Sequence, residues 1–213
     1  MSVKPARLSR ASSELAEAFN KNYLFDFKIR RPFYLNPKHK EFYNCIKNSK
    51  TKIGFVDGPA GSMKTYIAVY AGLELLKEEE FAKLVYIRSI AESAEKSLGS
   101  LPGEIDDKFS PYAIPLDEKV SEIAGAGVCN MLKQKGLIEA IPVNFVRGLT
   151  FNKTLVIVDE AQNLSRKELT TILTRFGRNT KYIVIGDCNQ ADVNKSGYKE
   201  IFNMFNTHQS AEN

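Results

Sequence analysis

The sequence predicts an α/β domain with a parallel sheet, because short apolar segments alternate with stretches of helical periodicity. Three of the apolar segments, at residues 53–56, 155–158 and 182–185, are each followed directly by glycine, acidic or other polar residues. The carboxyl ends of parallel strands meet at one edge of a sheet, where ligands bind. We therefore expect the polar residues after these segments to contribute to one site.

The first of these segments leads into a glycine-rich turn and then into apolar residues at helical spacing. The turn consists of Gly58, Pro59, Ala60, Gly61, Ser62, Met63, Lys64 and Thr65. Strand, glycine loop, Lys-Thr pair and helix are the parts of a phosphate-binding P-loop (Walker A). Its N–H groups point inward, Lys64 would reach the β- and γ-phosphates, and the Thr65 hydroxyl would hold Mg²⁺. Taken alone, the segment also fits an ordinary strand-to-helix turn.

Met63 departs from the usual P-loop pattern, G-x-x-x-x-G-K-[ST], which has a glycine at this position. Glycine there avoids a Cβ beside the phosphates and permits unusual dihedral angles. We expect methionine to be tolerated if residue 63 has already entered helical geometry. The opposite expectation is that Met63 weakens or abolishes turnover.

The other two segments support the P-loop interpretation. Asp159 and Glu160 follow four apolar residues, as in a Walker B strand: Asp159 would bind the Mg²⁺ shell and Glu160 would activate the attacking water. Gly186, Asp187 and Gln190 follow the third segment, and Gln190 would sense the γ-phosphate. A solvated acidic turn and a plain Gly-Asp turn are the alternatives for each segment alone.

The remaining elements follow from periodicity, capping residues and chain breakers. We expect helices at residues 11–20, 37–48 and 165–176, and strands at residues 83–88, 137–141 and 181–186. Residues 89–140 read as an insertion that Gly125 and Gly127 break. The domain organisation is an N-terminal basic and aromatic arm at 1–34 that packs on the core, an ATPase core at 35–206, and a frayed tail at 207–213.

Composition restricts the class of protein. The chain has 213 residues, 43% of them hydrophobic, and a formal net charge of +5, which is compatible with nucleic acid but not specific for it. We identify no apolar run of about 20 residues and no secretory signal, so we expect no membrane association and a cytoplasmic protein, in a bacterial cell or in a host if phage-encoded. The three cysteines lack metal-like spacing and read as reduced thiols.

The N-terminal arm carries the best basic cluster, interleaved with aromatic residues. The basic residues are Lys4, Arg7, Arg10, Lys28, Arg30 and Arg31, and the aromatic ones are Tyr23, Phe25, Phe27, Phe33 and Tyr34. Phosphate contacts plus base stacking are how proteins hold single strands. We favour a simpler interpretation for the aromatic residues, a strand with Phe25, Phe27 and Ile29 facing inward.

Over roughly residues 35–205 the chain resembles the PhoH family of P-loop ATPases, which is close to superfamily 1 helicases. The blocks Glu95-Lys96-Ser97-Leu98-Gly99-Ser100-Leu101-Pro102-Gly103 and Arg147-Gly148-Leu149-Thr150-Phe151 carry the resemblance more specifically than the Walker motifs. It implies a RecA-like core with helices on both faces of the sheet, ATP and Mg²⁺ as ligands, and coupling to RNA or single-stranded DNA. The size suggests a compact phage or bacterial member without the RNase-like PIN domain of some relatives. His39 stands where superfamily 1 proteins have a Gln that reads adenine, and a neutral imidazole could imitate part of that contact.

The leading function is therefore a Mg²⁺-dependent ATPase, helicase-like and coupled to RNA or single-stranded DNA. An arginine usually stabilises the negative charge on the transferred phosphoryl group, and in superfamily 1 helicases a second RecA-like domain can supply it. We expect one such domain in this chain. We expect a homo-oligomer, such as a hexameric ring, in which Arg175 or Arg178 of a neighbour acts in trans, with Arg147 as runner-up and surface ion pairs as the alternative. Arg88 and the N-terminal basic residues are candidates for nucleic-acid contacts. The rival functions are a nucleotide- or nucleic-acid-binding module with a degenerate P-loop and little hydrolysis, and a small-molecule kinase, which the 147–151 and 186–190 blocks disfavour.

Overall fold

The structure is a computed structural model that describes residues 27–30, 36–88, 105–190 and 196–209, with the side chains of 105–111 and 206–209 left undescribed. The described helices are α1 (Pro37–Lys47), α2 (Lys64–Lys77), α3 (Ile105–Ala124), α4 (Ala126–Gln134), α5 (Arg166–Leu173) and α6 (Tyr198–Gln209). The described strands are β1 (Ile53–Asp57), β2 (Lys83–Arg88), β3 (Ile138–Pro142), β4 (Thr154–Asp159) and β5 (Lys181–Gly186).

The five strands form one sheet in the order β1-β5-β4-β2-β3, and every neighbouring pair is parallel. The register aligns the carboxyl ends of the strands, because Asp57 pairs with Gly186 and Arg88 pairs with Asp159. The predicted parallel sheet is confirmed. All three polar turns named above leave the sheet at the same edge, which is called the carboxyl edge below.

Helices cover both faces of the sheet, as predicted. Successive strand residues enter two different buried clusters, so that Leu84 and Tyr86 face α1 to α4 while Val85 and Ile87 face α5 and α6. Near-continuous apolar runs of this kind are typical of strands buried on both faces. Helix α2 packs closely on the sheet at Gly72, where an added Cβ would lie 2.5 Å from Leu84 Cδ1.

Residues 27–30 pack against this core. Phe27 is buried, Lys28 and Arg30 are exposed, and Ile29 is partly buried against the core, which agrees with the predicted alternation of faces. The four residues are not part of a strand, however, so the predicted strand is not observed at 27–30. The Lys77 ammonium donates a hydrogen bond to the Phe27 carbonyl at 2.7 Å and lies 5.7 Å from the centre of its ring. The predicted helix at 11–20, the rest of the arm and the block at 95–103 lie outside the described residues.

Some predicted boundaries were wrong. Gly125 separates α3 from α4 as expected, but Gly127 lies in the first turn of α4 and does not break it. Helix α5 ends at Leu173, because the following chain turns to bring Phe176 beside Phe151. Helix α6 continues through Gln209, and the fraying of the tail at 207–213 stays a prediction. Residues 210–213 lie outside the described part.

Candidate nucleotide site

The P-loop joins β1 to α2 and contains two residues, separated by Ser62, that depart from right-handed backbone geometry. Gly61 has φ of +75°, and Met63 caps the helix with φ of 61° and ψ of 14°, which is left-handed. Right-handed helical geometry at residue 63, the condition under which methionine was expected to be tolerated, is therefore not met. A residue with a Cβ in this conformation costs about 1–2 kcal/mol, because the Cβ crowds the neighbouring carbonyl oxygen. The methionine side chain is 38% exposed.

The Lys64 ammonium is folded onto its own loop. It donates to the carbonyl oxygens of Gly58 and Pro59 at 2.6 and 2.7 Å and to the Ser62 hydroxyl at 3.2 Å. An ammonium has three donors, and all three are used within the loop. A phosphate group entering the loop would offer charged acceptors that compete with these neutral ones. Lys64 thus lies in the P-loop, where its ammonium can exchange its hydrogen bonds to the loop for hydrogen bonds to an anion.

Three donors converge on the Asp159 carboxylate at the end of β4. The Thr65 hydroxyl donates to Oδ2 at 3.0 Å, the Tyr86 hydroxyl donates to the same oxygen at 2.6 Å, and the Glu160 N–H donates to Oδ1 at 3.0 Å. Burial, reinforced by the Asp159 charge, holds the pKa of the Tyr86 hydroxyl far above its usual range, so the phenol stays a donor. The two residues predicted to hold Mg²⁺, Thr65 and Asp159, therefore meet directly.

Hydroxyl and carboxylate oxygens are the donor types that Mg²⁺ accepts from proteins, usually with phosphate oxygens and water completing the shell. Across the described residues there is no group of three or more His, Cys, Asp or Glu side chains that could hold a metal ion. A site of one carboxylate and one hydroxyl thus fits a metal that arrives with a nucleotide and does not fit a cage built from protein groups alone.

Glu160 is held by a side chain that the sequence analysis did not select. Gln162, buried in the turn after β4, donates from Nε2 to Glu160 Oε2 at 2.6 Å and accepts the Asp187 N–H on Oε1 at 3.2 Å. Arg88 Nη2 lies 3.7 Å from the other carboxylate oxygen of Glu160. Glu160 itself is left-handed, with φ of 52°. Backbone strain of this kind clusters at functional sites, where surrounding contacts maintain it.

These groups line a cavity of about 340 Å³ at the carboxyl edge. Residues 60–65 form one wall, and Asp159, Glu160 and Gln162 form another, with Gln190 beside them. Helix α3 contributes Lys119 and Glu122, which form an ion pair at 3.1 Å. Sequence reasoning did not select these two residues, since nothing local distinguishes them from the other charged residues of a surface helix.

Other predicted residues lie away from this cavity. Contacts of Tyr43 with Glu74 and of Lys47 with Glu78 show that α1 and α2 run side by side in the same direction, so His39 lies toward the carboxyl edge. His39 nevertheless does not line the cavity. Its Nδ1 atom is buried and has no hydrogen-bond partner among the described residues. A contact between His39 and adenine stays a prediction.

The arginines proposed for a neighbouring site lie at the opposite edge of the sheet. Arg175 and Arg178 precede β5, and their backbone carbonyls accept from the N–H groups of Phe151 and Lys153, which precede β4. They therefore cannot reach the cavity of their own chain. Arg147 is exposed in the segment after β3 and does not line the cavity either.

A family model described as PhoH-like protein matches residues 34–213 of the sequence. The chain belongs to the PhoH-like family. Its P-loop and Walker B residues lie together as in a P-loop NTPase, and the resemblance inferred from the sequence is confirmed.

Curated relatives carry the same description. The chain is 36% identical over 156 residues to a PhoH-like protein of Bacillus subtilis, covering 73% of this chain and 48% of the relative. It is 38% identical to a PhoH-like protein of Synechocystis, covering 73% and 47%, and 35% identical to protein PhoH of Escherichia coli K12, covering 65% and 40%. The matched part of this PhoH-like chain thus spans about half the length of these relatives or less.

Among solved structures, the large terminase of bacteriophage HK97 is similar at a TM-score of 0.46 and 17% identity, over 84% of this chain and 38% of that one.

None of the helices in the described part of the chain combines the length and the apolar character that a membrane span needs.

Proposed function

We propose that this chain is a Mg²⁺-dependent ATPase whose hydrolysis is coupled to RNA or single-stranded DNA. The observation that carries the proposal is the direct hydrogen bond between Thr65, at the start of the P-loop helix, and Asp159, at the end of the Walker B strand. It joins the phosphate cradle to the acidic end of β4, which is the arrangement that positions a nucleotide phosphate, a metal ion and a water in P-loop NTPases.

Each polar group of the cavity has a distinct part in this proposal. The P-loop N–H groups and Lys64 hold the phosphates, once Lys64 has left the carbonyls of Gly58 and Pro59. Thr65 and Asp159 would hold Mg²⁺, which would neutralise charge on the phosphate oxygens. Glu160, fixed through Gln162, accepts a proton from the attacking water.

Two further polar side chains line the cavity. Gln190 is one of them and would sense the γ-phosphate. Lys119 supplies a cation from the same chain: its ammonium pairs with Glu122 at 3.1 Å and is partly exposed to the cavity. It could therefore stabilise charge that develops on the transferred phosphoryl group.

A second proposal is that the stabilising cation comes from another copy of the chain, in a homo-oligomer where Arg175 or Arg178 acts in trans. It is supported by the location of both arginines at the far edge, from which they cannot reach the cavity of their own chain. Mixing tests it: an Arg178→Ala chain and a Lys64→Ala chain, each inactive alone, should regain activity together. A monomer that hydrolyses ATP at full rate contradicts it, and Lys119→Ala then becomes the decisive variant.

Phosphate release, measured with and without oligo(U) and oligo(dT), tests the ATPase itself. Wild type should release phosphate, Lys64→Ala should bind nucleotide weakly or not at all, and Glu160→Gln should bind ATP without releasing phosphate. Equal release by all three proteins would overturn the assignment, and release that neither oligonucleotide changes would overturn the coupling.

One observation favours the alternative, a binding module with little hydrolysis. The left-handed Met63 places a side chain at a position where P-loops have glycine, and strain there could displace the phosphates from Lys64 and Thr65. ATP binding without phosphate release by the wild-type chain would support the module.

A further inference from the structure

Three adjacent strands, β1, β5 and β4, are followed by acidic residues and preceded by basic ones. The carboxyl edge bears Asp57, Asp159, Glu160 and Asp187 at the ends of three adjacent strands. The other edge, where β1, β5 and β4 begin, is formed by residues 48–52, 174–180 and 151–153. These three segments, called the basic edge below, contain no Asp or Glu and carry five cations: Lys50, Lys52, Lys153, Arg175 and Arg178.

The basic edge is a continuous surface. The Lys153 N–H donates to the Arg178 carbonyl at 2.7 Å, and the Arg178 N–H donates to the Asn152 side chain at 2.9 Å. On the other side, the Tyr182 N–H donates to the Lys52 carbonyl at 2.9 Å. The order β1-β5-β4 in the sheet places the three segments next to one another.

Within the described residues, the charges of this surface have no carboxylate partner. None of the five cations forms an ion pair with a carboxylate in the part of the chain that the structure describes. Other basic residues do: Lys47, Lys83, Lys133 and Arg166 pair with Glu78, Glu139, Asp117 and Glu200. Four of the five side chains are exposed, and Arg175 is partly buried. An exposed cluster of one sign attracts a polyanion and releases its counterions on binding.

Two further features lie on the same surface. Phe176 is 39% exposed, and one side of its ring packs on Tyr182 with the ring centres 5.0 Å apart. A cleft of about 250 Å³ opens between β1 and β5, lined by Ser49, Thr51, Lys52, Asn179, Thr180 and Lys181, with Phe81 and one acid, Glu80. Lys181 is not free, because its ammonium donates to the carbonyls of Ile46 and Asn48. The cleft thus offers hydroxyl and amide groups beside the exposed Lys52.

We infer that the basic edge is the surface that binds single-stranded nucleic acid, an inference that rests on the proposed coupling to nucleic acid. Lysine and arginine contacts to phosphates combined with an exposed aromatic ring on which a base can stack are the features of single-strand binding. A duplex keeps its bases stacked and would leave Phe176 unused. The nucleic acid would lie at the opposite edge of the sheet from the nucleotide cavity.

Fluorescence anisotropy of labelled 20-nucleotide oligo(U) and oligo(dT) between 50 and 300 mM NaCl tests this, with full-length chains. Lys52→Ala/Lys153→Ala should weaken binding and flatten the slope of log affinity against log salt by about 0.7 for each lost phosphate contact, or about fivefold in affinity per contact at 0.1 M salt. Phe176→Leu should weaken binding about fivefold or more without changing the slope. Lys167→Ala, which removes an exposed charge at the start of α5, is the matched control and should bind like wild type.

The two oligonucleotides separate RNA from DNA, and weaker binding of either one by the double variant supports the inference. Wild type that binds neither oligonucleotide at 50 mM salt overturns it, as does a double variant that binds like Lys167→Ala. Sedimentation velocity measures self-association of the same variants. If the double variant changes self-association but binds the oligonucleotides with wild-type affinity, the basic edge is a subunit interface and the inference is overturned. Oligonucleotide binding does not require turnover, so a chain that binds through this edge but never releases phosphate would contradict only the proposed ATPase.

Discussion

Replacing Met63 by glycine should stabilise the P-loop relative to alanine at the same position. The structure places residue 63 at φ of 61° and ψ of 14°, where a Cβ costs about 1–2 kcal/mol. Glycine loses more chain entropy on folding, which offsets about 0.5–1 kcal/mol of that gain. The net difference between Met63→Gly and Met63→Ala is therefore about 0.5–1 kcal/mol in favour of glycine. The two variants differ only by the Cβ, so side-chain contacts of the methionine cancel.

Thermal unfolding followed by circular dichroism measures this difference. For a chain of this length, about 0.5–1 kcal/mol corresponds to a Tm about 1–4 °C higher for Met63→Gly than for Met63→Ala. Phosphate release by Met63→Gly should equal or exceed that of wild type, since the glycine restores the usual P-loop pattern. A Met63→Ala protein at least as stable as Met63→Gly would refute the left-handed assignment, and a large loss of turnover in Met63→Gly would show that the methionine side chain has a function.

Three further predictions concern the groups around the cavity. Tyr86→Phe removes a hydrogen-bond donor from the buried Asp159 carboxylate and should lower the free energy of unfolding by about 1–3 kcal/mol in urea titrations. The control Tyr182→Phe deletes an equally buried hydroxyl that has no described partner, and it should leave the free energy of unfolding unchanged. Equal losses in the two variants would contradict this prediction. Gln162→Ala should keep nucleotide affinity but slow phosphate release about tenfold or more, because Glu160 loses the side chain that positions it, and a change in affinity alone would argue against that role. Burial and the adjacent Asp57 carboxylate raise the pKa of the Cys188 thiol to about 11. In a Cys45→Ser/Cys129→Ser background, iodoacetamide should therefore react slowly at pH 8 and faster only as the pH approaches 11, and Asp57→Asn should accelerate the reaction at pH 8. Alkylation of the parent at the rate of an unhindered thiol of ordinary pKa would contradict the shift.

Local patterns were enough to predict most of the architecture. The apolar runs that became β2, β4 and β5 are buried on both faces, and such runs are visible in a linear sequence. The run that became β1, an outer strand of the sheet, is for the most part only partly buried. Helix α5 was also predictable, since Ser165 and Glu168 form a capping box at its start. Gly127 was misread as a breaker, because the cost of glycine in the first turn of a helix depends on packing that the sequence does not display.

The sequence by itself determined the parts of the site that lie next to each other in the chain: the P-loop from Gly58 to Thr65 and the acidic pair after β4. It determined them because both follow directly from a strand and a turn, whose signals are local. Only the tertiary structure decided the left-handed backbone of Met63, the hydrogen bond of Tyr86 to Asp159, the link from Gln162 to the Asp187 backbone and the entry of Lys119 into the cavity. Apart from the backbone of Met63, which depends on how the loop closes onto α2, these are contacts between segments far apart in the chain. The order of the strands and the packing of the helices on the sheet create them, and no short-range pattern encodes that order.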